Sequence, residues 1–315
     1  MTSDTSSINI VAIGSYIPDT MIDNLERAES FNRDQDFVTE KLGFLKLARK
    51  SPQEETSDLC VKAYDDLASS CHIDNRKIDC IIVCTQNPDG GGIPHVSAIV
   101  QAKLGLPITS ATFDISLGCS GYVYSLSIIT SFMEANGFKH GLLFTSDPYS
   151  KILDASDHNT ELLFGDAATV TYLTNSLGYQ TGKTSFGSDG TGGSAIQINT
   201  NTDYLEMNGR SVFMFTMKVV PEQINECIIN NNTSITDIDY FLLHQGSKYI
   251  IDNMTKELGL PPGKTPFLAS HYGNTVSSSI PLMLKNIMQK NPEKVLLSGF
   301  GVGLSWATTI INRTA

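Results

Sequence analysis

Short apolar runs rich in β-branched residues alternate along this chain with stretches of helical period. The pattern predicts strands over residues 9–14, 79–85, 111–115, 141–145, 168–173, 240–244, 294–298 and 305–311. It predicts helices over residues 56–70, 96–104, 119–136, 213–230, 246–258 and 277–288. Alternation of this kind implies an α/β protein with a mostly parallel sheet and helices packed on its faces. The runs 240–243 and 295–297 carry no alternating polar residue and read as strands buried on both sides. A faint echo links distant parts of the chain. Ile78-Asp79-Cys80-Ile81-Ile82-Val83 returns as Ile238-Asp239-Tyr240-Phe241-Leu242-Leu243, and Gly165–Thr171 is loosely matched by Gly303–Thr309. A fused duplication and a chance likeness of apolar strands both account for it.

Composition bounds the class. With 315 residues, 41% hydrophobic and 17% charged, the chain suits one large or two medium globular domains. It has no low-complexity tract or Pro-rich linker to divide it. Met1-Thr2-Ser3-Asp4 lacks the basic flank and apolar run of a signal peptide, and no stretch has the roughly 18 apolar residues of a membrane span. A cytoplasmic protein is expected. A formal charge of −11 argues against nucleic acid and anionic membrane as partners, and an acidic carrier protein would need a local basic patch.

The six cysteines are Cys60, Cys71, Cys80, Cys84, Cys119 and Cys227, and in a cytosolic chain of this size they read as free thiols. Cys80 and Cys84 lie in an apolar run and read as inert core. No CxxC and no paired histidine spacing points to a metal.

One cysteine stands apart. In Asp114-Ile115-Ser116-Leu117-Gly118-Cys119-Ser120-Gly121-Tyr122 a strand ends, small residues turn, and a helix is expected to begin at Cys119. Free backbone N–H groups and the positive helix end would favour a thiolate there. His244-Gln245 closes a predicted strand where a helix begins, at the kind of strand end where open α/β sheets build sites. His271-Tyr272-Gly273-Asn274-Thr275 is a Gly/Asn turn into a Ser-rich helix start. Gly299-Phe300-Gly301-Val302-Gly303 offers backbone N–H groups to an oxyanion. Each feature alone fits a buried residue, a structural histidine, a helix cap or a tight turn. Together they suggest a nucleophile, a base and a polariser. Gly187–Gly193 is glycine-rich too, but no lysine follows it, and it reads as a surface turn rather than a phosphate loop.

In order along the chain, Ile13–Pro18, the Cys119 turn, Phe164-Gly165-Asp166, His244-Gln245, Gly273-Asn274-Thr275, Gly299–Gly303 and Trp306 resemble β-ketoacyl-ACP synthase III, of the thiolase superfamily. The resemblance implies a thiolase-like fold, two duplicated α/β halves in a five-layered sandwich, and a homodimer. Residues 1–174 would form the half carrying Cys119, and residues 175–315 the half carrying His244 and Asn274. It further implies that Cys119 takes an acyl group as thioester, with the backbone N–H groups of Cys119 and Val302 as oxyanion hole. His244 and Asn274 would hold a malonyl thioester and stabilise the enolate formed as CO₂ leaves. Acyl and malonyl thioesters, on coenzyme A or acyl carrier protein, would be substrates, with no cofactor. Asn274, rather than a second cysteine or histidine, favours this type over biosynthetic thiolase and the other ketoacyl synthases.

The departures lie in the groups that bind the carrier and the acyl chain. Where the family clamps adenine between tryptophan and arginine, this chain has Phe37 and Lys151, and Tyr249 stands where an arginine marks the tunnel mouth. Ile93 takes the place of a residue that in the family reaches into the neighbouring subunit's acyl tunnel. Phe213, Lys248 and Lys256 complete the expected substrate- and carrier-binding set. These changes point to a specialised rather than housekeeping pathway. Acyl transfer from Cys119 to an alcohol or amine is the alternative activity. A non-catalytic partner subunit is disfavoured, because all three of Cys119, His244 and Asn274 are kept.

Overall fold

The computed structural model describes residues 7–314, so Met1-Thr2-Ser3-Asp4 lies outside the described residues. Strand β1 (Asn9–Tyr16) leads into a hairpin of β2 (Thr20–Asp23) and β3 (Lys46–Arg49), with the short helix α1 (Asn24–Glu29) between them. Then follow α2 (Thr56–Ser70), β4 (Cys80–Cys84), α3 (Val96–Lys103), β5 (Ala111–Ile115), α4 (Gly121–Asn136) and β6 (His140–Ser146). The single turn α5 (His158–Glu161) precedes β7 (Ala168–Thr174). Short strands come next: β8 (Tyr179–Thr181), β9 (Ser185–Ser188), and the hairpin of β10 (Ile196–Ile198) and β11 (Leu205–Met207). The chain ends with α6 (Gly209–Asn230), β12 (Tyr240–Leu243), α7 (Lys248–Glu257), α8 (Ser279–Met288), β13 (Lys294–Gly301) and β14 (Ser305–Arg313).

The main sheet has the order β12-β13-β14-β8-β1-β7-β6-β4-β5, with β9 also on β14. It is mixed, which corrects the expectation of a mostly parallel sheet. Only β4 with β5 and β6, and β12 with β13, run parallel. Residues 302–304 are too few for a crossover, so β14 must fold back antiparallel on β13. The longer link from β6 to β7, residues 147–167, holds single turns at Tyr149–Lys151 and His158–Glu161 rather than a crossover helix, and those strands are antiparallel.

Burial follows from the strand period. In β4, Cys80 and Ile82 point to a core shared with Leu126 and Ile129 of α4 and Ile280 and Leu284 of α8. Ile81 and Val83 point the other way, to Leu59 and Ala63 of α2 and Val100 of α3. Across the molecule, Val295 and Leu297 of β13 join the first core, and Leu296 meets Ile224 of α6 and Met254 of α7. The layers therefore run α2–α3, sheet, α4–α8, sheet, α6–α7, the five layers expected. Strands with helices on both faces must be apolar throughout, which explains the unbroken runs in β4, β12 and β13. The echoed segments lie at equivalent stations. Ile78–Val83 and Ile238–Leu243 enter the parallel strands β4 and β12, and Gly165–Thr171 and Gly303–Thr309 enter the antiparallel returns β7 and β14.

Candidate active site

Helix α4 starts at Gly121 with Ser120 as its N-cap, so Cys119 lies just before the helix rather than within it. Three glycines make room for the turn. A Cβ at Gly121 would fall 2.4 Å from Cys84 Sγ, and one at Gly299 would fall 2.6 Å from the Cys119 carbonyl oxygen. Gly301 has φ +154°, and a Cβ there would lie 2.9 Å from Cys119 Sγ. The end of β13 thus passes directly over Cys119. Ser120 Oγ meets Ser305 Oγ at 2.7 Å, and Ser305 Oγ donates to the Val302 carbonyl at 2.8 Å, which fastens the glycine-rich turn to the Cys119 turn.

Cys119 is only 6% exposed. Burial pushes its thiol up to about 12, against the opposing pull of hydrogen bonds from the backbone N–H groups of Val302 and of Cys119 itself. The helix end and the N–H groups expected to favour a thiolate are present, and burial acts against them by raising the thiol. Those two N–H groups do gather at the sulfur, where an oxyanion would form on a carbonyl attacked there.

His244 continues from β12, its N–H donating to the Ser298 carbonyl of β13 at 2.9 Å. Gln245 braces it, taking the Leu268 N–H on Oε1 at 2.9 Å and donating its own N–H to Ser279 Oγ at 2.9 Å. Phe300 meets the imidazole edge-on, centroids 5.8 Å apart. Burial drops the imidazole to about 3, so it is neutral. Its Nδ1 is sealed off with no partner. An orphaned N–H is costlier than an orphaned lone pair, so the proton sits on Nε2, a neutral donor with access to the cavity.

Asn274 is pinned on three sides. Its N–H donates to Leu163 O and its carbonyl accepts from Gly165 N, each at 2.9 Å, and Oδ1 accepts from Val276 N at 3.0 Å. Nδ2 is left as a donor with no protein partner among the described residues. The Phe164-Gly165-Asp166 motif is thus the stitch that holds this turn. A Cβ at Gly165 would strike Tyr272 O at 1.7 Å, and the Asp166 carboxylate accepts from Lys50 N at 2.8 Å and Ser150 Oγ at 2.5 Å. Val276 adopts φ +52°, which is strained for a β-branched residue.

Cys119, His244, Asn274, Phe300, Gly301 and Val302 line one cavity of about 470 Å³, the size of a small-molecule site. Its walls are mainly apolar, and Phe37, Phe213 and Tyr249 lie on them as expected. Four other expected positions are elsewhere. Lys151 donates to Glu55 at 2.7 Å and to the Pro88 carbonyl at 2.9 Å. Lys248 is held by Glu40 at 3.3 Å and Asp252 at 2.9 Å, so it is not the free cation a carrier would meet. Lys256 is exposed in the last turn of α7, and Ile93 is 87% exposed beyond the glycines 90–92. The sequence reading missed several rim residues. Arg33 places its guanidinium 5.0 Å from the Phe37 ring centre and contacts His158, and Lys41 lies 5.2 Å over Tyr249, which packs on Phe213. Arg210 reaches the wall because α6 starts at Gly209. Asn208, capping Ser211 N at 3.0 Å, was the available signal for that earlier start.

Family models match the chain in two places. Residues 113–190 match 3-oxoacyl-[acyl-carrier-protein (ACP)] synthase III, and residues 219–313 match the C-terminal part of the same family. The β-ketoacyl-[acyl-carrier-protein] synthase III of Clostridium acetobutylicum is 33% identical over 328 residues, covering 98% of this chain and 99% of that protein. Its counterpart in Streptococcus pneumoniae serotype 19F is 32% identical over 320 residues, covering 96% and 98%. The crystal structure of the Thermus thermophilus synthase III superposes with a TM-score of 0.89 at 31% identity, covering 97% of this chain and 99% of that one. The architecture is that of the thiolase fold.

Proposed function

This chain belongs to the 3-oxoacyl-[acyl-carrier-protein] synthase III family and is a condensing transferase, and from that premise we propose that Cys119 carries the acyl group while His244 and Asn274 handle the malonyl thioester. Cys119 Sγ attacks the carbonyl of an acyl thioester, and the N–H groups of Cys119 and Val302 hold the oxyanion. The donor leaves as a thiol with the cysteine's proton. A malonyl thioester then binds with its carbonyl oxygen between His244 Nε2–H and Asn274 Nδ2. Loss of CO₂ leaves an enolate, which forms the new carbon–carbon bond at the acyl carbonyl. Cys119 departs and regains a proton from solvent.

The observation that carries this reading is the donor set. Two neutral N–H donors, from a sealed imidazole and a pinned amide, open onto the same cavity as the sulfur. Neutral donors favour a developing enolate without trapping it as a fixed ion pair. The chemistry draws only on side chains, backbone N–H groups and the two thioesters. Residues 1–174 supply the nucleophile half and 175–315 the donor half. Acyl carrier protein is the carrier partner. A homodimer is supported by the exposed Ile93 and by β5 at the edge of the sheet. The altered mouth residues support a specialised pathway.

The test is intact-protein mass spectrometry after incubation with a panel of acyl thioesters, followed by malonyl thioester with CO₂ collected. Acyl mass on the Cys119 peptide and stoichiometric CO₂ are expected. Acylation without CO₂ would replace condensation with simple acyl transfer.

A further inference from the structure

The cavity runs from an exposed rim at Arg210 and Tyr249 to buried walls at Tyr149, Leu163, Phe164 and Ile196. Tyr149 packs in one apolar cluster with Cys119, Leu163, Phe164 and Val276, its ring centre 4.8 Å from that of Phe164. Its hydroxyl is spent outside the cavity, donating to Gln86 Oε1 at 2.9 Å. That oxygen lies 2.6 Å from where a Cβ on Gly118 would fall. The polar tip of the tyrosine is therefore anchored beside the residue that precedes Cys119.

The surroundings of the ring are tied down. Gln86 N–H donates to Asp147 Oδ1 at 2.6 Å, and Ser277 Oγ donates to Oδ2 of the same carboxylate at 2.5 Å. Tyr149 opens the single turn Tyr149–Lys151, its N–H on the Asp147 carbonyl and its carbonyl accepting Ile152 N, each at 2.8 Å. Ser150 Oγ, next in the chain, donates to Asp166 at 2.5 Å. Swinging the ring aside would strand a buried hydroxyl, which costs more than a hydrogen bond contributes, and the backbone is held against retreat.

We propose that Tyr149 is a specificity-determining residue whose fixed ring closes the inner end of the cavity, so that the group loaded on Cys119 is a short aliphatic acyl chain. The inference rests on the reading that Cys119 carries the acyl group, and it names the class of that group. The inner walls agree with it. Leu163, Phe164 and Ile196 present only carbon. The Thr216 hydroxyl is spent on the Val212 carbonyl at 2.8 Å, and Asn274 Oδ1 on Val276 N at 3.0 Å. Neither oxygen is free to meet a hydroxyl or carboxyl on the acyl chain, and a polar group buried there unpaired is penalised. An aliphatic chain escapes that penalty, but a long one would have to displace the ring, and overpacking a close-packed wall is unfavourable.

The test measures the rate of Cys119 acylation by intact-protein mass spectrometry with acetyl, butyryl, hexanoyl and octanoyl coenzyme A. The carrier is the same throughout, so the altered mouth cancels in the ratios. Native enzyme is compared with Tyr149→Phe, which keeps the ring and loses the bond to Gln86, and with Tyr149→Leu, which removes the ring and stays apolar. Native enzyme is expected to load butyryl far faster than octanoyl. Tyr149→Leu should raise the octanoyl-to-butyryl ratio by about tenfold or more, since even one methylene in an apolar pocket discriminates on that scale. Tyr149→Phe should keep the native cut-off. A purely structural tyrosine would slow every chain length alike, so a Tyr149→Leu profile parallel to the native one overturns the proposal. If that variant does not fold, the native profile decides, and octanoyl loading as fast as butyryl overturns it. That result would leave the Cys119 reading standing, whereas a native enzyme that loads no chain of any length would remove the reading and this inference with it.

Discussion

The two halves of the molecule run the same course, yet their equivalent strand ends do opposite things. Past β4 stand Thr85 and Gln86, and past β6 stands Asp147, all turned into an internal hydrogen-bond network. Past β12 stands His244, and the end of β13 is Gly301, both turned to the cavity. The helix starts differ as well: the turn before α4 presents the Cys119 thiol, and the turn before α8 presents the Asn274 side-chain amide. One frame therefore supplies the sulfur with its supports, and the other supplies donors and the glycine-rich cover. The two backbone N–H groups at the Cys119 sulfur come one from each half.

The sharpest break of this comparison is Cys119→Ala, which is expected to abolish acyl loading and condensation alike. Normal acyl mass on the variant, or acyl mass on Cys60, Cys71, Cys80, Cys84 or Cys227, would move the nucleophile elsewhere. Gly301→Ala probes the contact between halves. Its new Cβ, 2.9 Å from the sulfur and on a φ of +154°, should nearly eliminate loading while the protein still folds. A variant that loads at the native rate would show that β13 does not cap the nucleophile.

His244→Ala and Asn274→Ala should divide the two steps. Condensation is expected to fall by about 10²–10³, with loading much less affected, because the oxyanion N–H groups remain. Equal small losses in both half-reactions would dissolve the division of labour.

The halves also carry opposite pH signs. His244 is depressed to about 3 from its ordinary 6.5 by burial, so its share of stability is full above 6.5 and is lost as pH falls toward 3. Asp147 is raised from 3.8 to about 6 by burial, so its share is full below 3.8 and is lost as pH rises through about 6. Thermal melts between those limits should show His244→Ala less acid-sensitive than the native protein and Asp147→Asn more so. The smallest effect is expected at the mouth. Phe37→Trp with Lys151→Arg should improve kcat/KM for acyl coenzyme A by no more than about fivefold, the equivalent of ~1 kcal/mol of stacking. Lys151 is committed to Glu55 and Pro88, and Arg33 already stacks on Phe37. A much larger gain would make the mouth, not the floor, the limiting region.

Much of this was present in the chain itself. Every predicted strand and helix exists, because apolar period and caps are local: residues 56–70 were predicted as a helix and Thr56–Ser70 is one, with Asp58 closing its N-terminal box. The cysteine turn, the histidine after β12 and the Gly-Asn turn were legible for the same reason. Each is a short motif at the junction of two elements.

What only the tertiary structure decided depends on residues far apart in sequence. The sheet is mixed because of link lengths and pairing partners, which no strand's own pattern encodes. The small strands β8 to β11 are too short to show a period, yet β8 joins the two half-sheets. Gly301 was one glycine in a rich turn until β13 was seen to cross Cys119. The burial that raises the thiol was not legible either, because the helix end is a local feature whereas desolvation is set by everything packed around the sulfur. Asp147 gave no signal in sequence: a lone acidic residue after a strand acquires meaning only when the loops after β4 and before α8 close over it.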